Sequence, residues 1–182
     1  MSRARKLKIE EMERLQPQEY QEIAKRPITV VLDNVRSMHN VGAVFRTADA
    51  LRLEKIMLCG ISGQPPHAEI HKSALGAEEV VPWSYYQNCD EAILQLKANG
   101  YQVWALEQAE GSVMLPKLSA LLNTHQPLAI VLGNEVEGVQ QSVMDLCDGT
   151  VEIKQYGTKH SMNVSVAAGI VLWVVSELYK ID

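Results

Sequence analysis

Leu128-Ala129-Ile130-Val131-Leu132 is five apolar residues in a row, and Gly133-Asn134-Glu135 follows at once. A half-exposed strand alternates apolar with polar residues. An unbroken apolar run belongs to a strand buried on both faces. Ile28-Thr29-Val30-Val31-Leu32 reads the same way near the other end of the chain. Further strands are predicted at residues 55–59, 101–106 and 151–153, with one more short strand at 79–81. Between them, residues 41–53 place Val41, Val44, Phe45, Ala48 and Leu51 on one side of a helix, and Cys89–Ala98 is also helical in pattern. Alternating strands and helices predict an α/β fold, a mostly parallel sheet with helices on both faces. Residues 8–25 read as helix ended by Pro27, so the chain divides into a basic helical arm at 1–26 and one domain at 27–182.

Composition sets bounds on function. The 182 residues are 47% hydrophobic, enough for a core and too apolar for global disorder. The charged N-terminus has no apolar leader segment, and the longest apolar stretch, at 164–175, is short for a membrane span. Cys59, Cys89 and Cys147 lack metal-like spacing and are odd in number, which points to reduced thiols and a cytoplasmic protein. His67 and His71 lie four apart, but no third ligand is evident, so they read as surface histidines and no metal is expected. Net charge is −5, yet all seven arginines fall within the first 52 residues. Residues 1–55 hold eleven basic against eight acidic side chains, so one side of the molecule can meet a polyanion. Arg3, Arg5, Lys6 and Lys8 are either phosphate contacts or a solvated tail.

The last predicted helix, at 164–179, is apolar nearly all round, with Val166, Ile170, Trp173 and Val174 among its residues. Such a helix must be covered on more than one side. Either it lies deep in a monomer or a second subunit packs on it, and the small size of the chain favours a homodimer.

Three polar stretches stand where apolar runs end: Asn40-Val41-Gly42 with Arg46 six residues after Asn40, then Gly133-Asn134-Glu135, then Ser161-Met162-Asn163. Loops that follow strands are where α/β folds build ligand sites. Asn40 reads as a helix N-cap, with Gly42 leaving room over the first turn. Arg46 sits among apolar neighbours, which calls for an anionic partner, either a structural carboxylate or a phosphate or reacting oxygen. Gly133 would let backbone approach a ligand, and Glu135 would accept from a hydroxyl, an amine or Arg46. Ser161 and Asn163 suit the start of a helix, where an anion or a hydroxyl can be anchored. The spacing is that of neither the dinucleotide fingerprint nor the phosphate loop.

Taken in order, these motifs resemble the SpoU (TrmH-like) branch of the knotted SPOUT RNA methyltransferases. The resemblance runs from about Ile28 to the end and includes Lys72-Ser73-Ala74-Leu75-Gly76-Ala77. It implies a C-terminal deep trefoil knot, a rare exception to unknotted chains. It also implies S-adenosylmethionine held around Leu106, Gly133, Ile153 and Met162, and a homodimer through the last helix. The implied reaction is methyl transfer to a ribose 2′-hydroxyl in tRNA or rRNA, with Arg46, Asn40, Glu135, Ser161 and Asn163 as the catalytic set. Asn40 and Glu135 would orient Arg46. The chain departs from the family at Ile153-Lys154-Gln155-Tyr156-Gly157, where Ile-Pro-Met commonly precedes the glycine; Lys154 there is a candidate RNA contact. The alternative from another class is a non-catalytic knotted RNA-binding protein.

Overall fold

The computed structural model of the chain describes residues 4–12 and 14–181, and Arg3 lies outside them. Seven strands form one sheet: β1 (Arg26–Asp33), β2 (Leu53–Cys59), β3 (Trp83–Tyr86), β4 (Gln102–Leu106), β5 (Val113–Met114), β6 (Leu128–Leu132) and β7 (Gly149–Glu152). Their order is β3-β2-β1-β6-β4-β7-β5, and every pairing is parallel. The helices are α1 (Pro17–Glu22), α2 (Met38–Ala50), α3 (Ala68–Ala74), α4 (Ala77–Val80), α5 (Cys89–Ala98), α6 (Leu115–Leu118), α7 (Gln141–Leu146) and α8 (Val164–Ser176).

Successive residues of a strand face opposite ways, and here both faces are covered. Ile28, Val30 and Leu32 of β1 pack with Ile130 and Leu132 of β6 under Phe45 of α2 and Leu172 of α8. Val31, Ala129 and Val131 face the other way, onto Ile93 and Leu96 of α5 and Val143 of α7. The apolar runs at 28–32 and 128–132 are therefore central strands, paired residue for residue from Ile28↔Leu128 to Leu32↔Leu132.

Two expected elements are corrected. The arm is not a helix over 8–25: it has a 3₁₀ turn at Ile9–Glu11 and the short α1. Pro17 is the reason, since its ring and missing N–H let a helix begin there but not run through. Residues 79–81 are not a strand; Ala77–Val80 is helical, and the edge strand follows Pro82 at Trp83–Tyr86. α2 starts at Met38, earlier than expected, because Ser37 is its cap and accepts from the Asn40 N–H at 3.3 Å. Among the described residues no helix is long and apolar enough to cross a membrane.

Candidate active site

The carboxyl ends of β4, β6 and β7 open onto one recess of about 490 Å³, the position where open parallel sheets bind ligands. Three stretches line it: Leu106–Gln108 at the end of β4, Leu132–Gly138 at the end of β6, and Glu152, Ile153, Gln155 and residues 160–164 on the way into α8. Leu106, Gly133, Ile153 and Met162, the expected cofactor contacts, all lie on its wall, as do Glu135, Ser161 and Asn163.

Side-chain amides hold the loops together. Asn134 donates to the Asn34 carbonyl (2.8 Å), and its own oxygen accepts from the Val136 N–H (2.8 Å). Asn34 in turn accepts from the Ile61 N–H at 3.1 Å, so the loops after β1, β2 and β6 are tied to one another. Asp33, fully buried, accepts from the Gln140 N–H (2.9 Å) and the Gln140 side-chain amide (3.0 Å). On the other side Gln108 donates to the His160 carbonyl (2.7 Å) and pins the loop before α8. Gly133 serves this folding back rather than a ligand's approach, because a Cβ there would collide with the Gly138 carbonyl carbon and the Val139 nitrogen. Gly42 likewise makes room for α3, whose Ser73 Oγ and Ile70 carbonyl a Cβ would strike.

Glu135, Asn40 and Asn163 form one chain of hydrogen bonds. Glu135 Oε1 accepts from the Asn40 amide (2.8 Å) and the Ser37 N–H (3.0 Å), and Oε2 accepts from the Arg36 N–H (3.0 Å). Since a carboxylate only accepts, Asn40 must turn its NH₂ toward Glu135 and its oxygen away. That oxygen accepts from Asn163 Nδ2 at 3.1 Å, which leaves Asn163 Oδ1 to cap α8 by accepting from the Ser165 N–H (2.9 Å) and the Val166 N–H (3.3 Å). Burial raises the Glu135 pKa, but the donors of Arg36, Asn40 and Ser37 outweigh it and leave the group below the usual glutamate value. Asn40 is thus a buried link inside α2 and not its cap, and Glu135 is a clamp on the first turn of α2, where a helix favours negative charge.

Arg46 stands apart. It is exposed, does not line the recess, and makes no hydrogen bond to Asn40 or Glu135. Its neighbours are Ala43, Thr47, Ala50, Ser73, Gly169 and Trp173, on the outer side of α2 and α8. The expectation of a buried guanidinium oriented by Asn40 and Glu135 is corrected: the second turn of α2 points its arginine outward while Val44, Phe45 and Ala48 turn inward. Ser161 lies on the recess with no hydrogen bond from its hydroxyl among the described residues. Lys154 lies outside it, its Nζ 5.2 Å from the centre of the Tyr156 ring. In the arm, Lys6 and Lys8 are exposed, while Arg5 pairs with Glu11 through two bonds of 2.9 Å.

Glu107 and Gln108 are wall residues that sequence reading missed, and Asn134 and Gln155 stand on the wall from stretches in which it gave them no role. For Glu107 and Gln108 a signal existed, since they directly follow a predicted strand of a parallel sheet. The wall mixes apolar Leu106, Leu132, Ile153, Met162 and Val164 with the carboxylates Glu107, Glu137 and Glu152. Such a surface suits a ligand with a flat apolar portion, hydroxyls and positive charge.

A family model described as "SpoU rRNA Methylase family" matches residues 27–173. The 23S rRNA (guanosine-2'-O-)-methyltransferase RlmB of Neisseria meningitidis is 34% identical over 152 residues, which is 82% of this chain and 58% of that protein. The protein of the same name from Vibrio parahaemolyticus is 35% identical over 81% of this chain and 58% of its own length. The chain therefore spans somewhat over half the length of these curated relatives. In three dimensions it is similar to the A. aeolicus TrmH/SpoU tRNA modifying enzyme, with a TM-score of 0.78 at 27% identity, over 89% of this chain and 80% of that one. It is also similar to the AdoMet-bound rRNA methyltransferase from Sinorhizobium meliloti, with a TM-score of 0.77 at 28% identity, over 87% and 59% of the two chains.

Proposed function

The chain belongs to the SpoU rRNA methylase family, and we propose that it methylates a ribose 2′-hydroxyl in RNA with S-adenosylmethionine as donor. One observation carries this: Leu106, Gly133, Ile153 and Met162, far apart in sequence, share the wall of one recess at the carboxyl edge of the sheet. Its apolar side chains fit an adenine, and its carboxylates fit ribose hydroxyls and the donor's positive charge. The donor supplies an electrophilic methyl carbon. What the protein must supply is placement of a weakly acidic hydroxyl in line with that carbon and stabilisation of the oxyanion that develops. We read the loop at 153–163 as the threaded part of a trefoil knot, since it returns past the ends of β4 and β6 before entering α8.

Glu135, Asn40 and Asn163 have their hydrogen-bonding groups engaged with one another and with helix starts, so they act as positioning residues. Ser161, with a free hydroxyl on the wall, is placed to meet the ribose. Arg46 is the cation for the RNA phosphate or the developing 2′-oxyanion; a guanidinium holds charge but does not ordinarily take a proton. It borders an exposed apolar stripe on α8, where Val166, Ile170 and Trp173 are 53%, 37% and 60% exposed. A second copy of the chain docked on that stripe places Arg46 at the seam, and a homodimer through α8 is part of the proposal. Lys6, Lys8 and Lys154, with Arg5 exchanged from Glu11, would add phosphate contacts. The setting is the cytoplasm, where such RNA is made.

The test is transfer of labelled methyl to separated ribosomal and transfer RNA pools from cells lacking the protein, with 2′-O-methyl positions mapped afterwards. The relatives' names make large-subunit ribosomal RNA the first pool to try. Label at a single 2′-oxygen supports the proposal. RNA binding without transfer from either pool would return the chain to the alternative of a non-catalytic RNA-binding protein.

A further inference from the structure

We propose that the recess between α3 and α4, on another part of the surface from the methyl-transfer site, binds one divalent transition-metal ion through His71, Glu78 and Glu79. His71 lies in the last turn of α3, and the two glutamates lie on α4. Leu75 and Gly76, at φ 54° and 90°, turn the chain so that the two short helices face each other. One ligand atom from each of the three residues lies within 4.8 Å of the other two, and His71 Nδ1 is 2.6 Å from Glu78 Oε1. Ligand atoms around a tetrahedral zinc ion are roughly 3.4 Å apart, inside that span, so small side-chain rotations admit an ion.

Two observations separate this cluster from an ordinary surface ion pair. Glu78 is only 8% exposed, it lines the recess, and its Oε2 has neither solvent nor a hydrogen-bond partner. A buried carboxylate oxygen left unpaired is costly, and rotation of the carboxylate toward the recess would let a cation there satisfy it. The charge is also unbalanced. Two carboxylates face one imidazole, and among the described residues neither glutamate pairs with a lysine or arginine. His67 lines the same recess, but its Nδ1 accepts from the Glu69 N–H at 3.2 Å, which puts the proton of the neutral ring on Nε2, so the donor set is His71, Glu78 and Glu79 without it. The sequence offered no third ligand beside His67 and His71; Glu78 and Glu79, from the next helix, lie beside His71, and no residue spacing announces it. Imidazole with carboxylate oxygen is a donor set for zinc and its neighbours, whereas calcium takes six to eight oxygens.

The experiment uses the full chain stripped with a chelator and titrated with Co²⁺, followed by its visible absorption, then with Zn²⁺ by calorimetry. One Co²⁺ per chain is expected, displaced by Zn²⁺. Glu79→Gln alters an exposed side chain and should leave thermal unfolding of the metal-free protein unchanged; His71→Ala removes the partner of the buried Glu78 and should lower its Tm, and each variant, compared while folded, should weaken binding by more than about tenfold. His125→Ala, at an exposed histidine elsewhere, should bind as the wild type does. Absence of stoichiometric binding, or binding that survives both His71→Ala and Glu79→Gln, would overturn the assignment.

Discussion

Replacing Glu135 with glutamine tests whether this residue is a clamp or a reacting group. The carboxylate accepts three hydrogen bonds, from the N–H groups of Arg36 and Ser37 and from the Asn40 amide, at 2.8 to 3.0 Å. A glutamine of the same shape keeps one acceptor oxygen and turns an NH₂ toward at least one N–H. A hydrogen bond to a charged group contributes about 1.5–3 kcal/mol, and partial exposure argues for the lower part of that range. The expected loss is about 2 kcal/mol, which for a chain of this length lowers Tm by about 4–8 °C. Calorimetry at pH 7 measures it, and a second series locates the charge. The Glu135 pKa is depressed in the folded protein. Its stabilisation should therefore be complete above the unfolded value of about 4.3 and disappear as pH falls through the lower folded value. The gap between wild type and Glu135→Gln should be flat through neutral pH and close only in acid. A Tm within about 1 °C of wild type, together with lost methyl transfer, would refute the clamp and make Glu135 a participant in the reaction.

Arg46→Ala should leave stability within about 0.5 kcal/mol and donor affinity unchanged in calorimetry, while methyl transfer falls by about a hundredfold or more. Equal loss of folding and transfer would instead make the arginine structural. Trp173→Asp, on the exposed stripe of α8, should convert a dimer to a monomer in sedimentation without unfolding it. Asn163→Ala removes a helix cap and leaves the buried Asn40 oxygen unpaired, so urea titration should show a loss of about 2–3 kcal/mol. Neutralising Arg5, Lys6 and Lys8 together should flatten the logarithmic salt dependence of RNA binding by about 0.7–0.9 for each phosphate these side chains neutralise.

The central sheet was legible because burial on both faces leaves a direct mark: apolar runs without alternation at 28–32 and 128–132. The edge was less so. Trp83–Tyr86 pairs on one side only, and its residues alternate between exposed and half-buried, so its composition resembles a loop. The expected helical arm failed at Pro17, visible in the sequence but outweighed by helix-forming neighbours. In the site, residues were legible where the loop motifs lay, and the wall around Leu106, Gly133, Ile153 and Met162 came out together. Pairings were not. That Asn40 meets Asn163, 123 positions away, and that Asn34 meets Asn134 depends on which strands are neighbours, and strand order is not written in local pattern.

The positions of Asn40, Glu135 and Asn163 link three elements around the recess. Each residue fixes the orientation of the next: the carboxylate sets the Asn40 amide, Asn40 sets the Asn163 amide, and Asn163 sets the start of α8. The end of β6, the first turn of α2 and the N-terminus of α8 are therefore tied to one another. α8 also carries the exposed apolar stripe, and Arg46 stands beside it. Covering that stripe with a second subunit changes the surroundings of Arg46 and α8, and the hydrogen-bond chain connects α8 to the recess. In the proposed dimer, assembly and methyl transfer are coupled: the recess is already lined within the single chain, and docking of the second copy is the step that brings protein surface to Arg46. Trp173→Asp should then abolish methyl transfer while donor binding by the monomer persists.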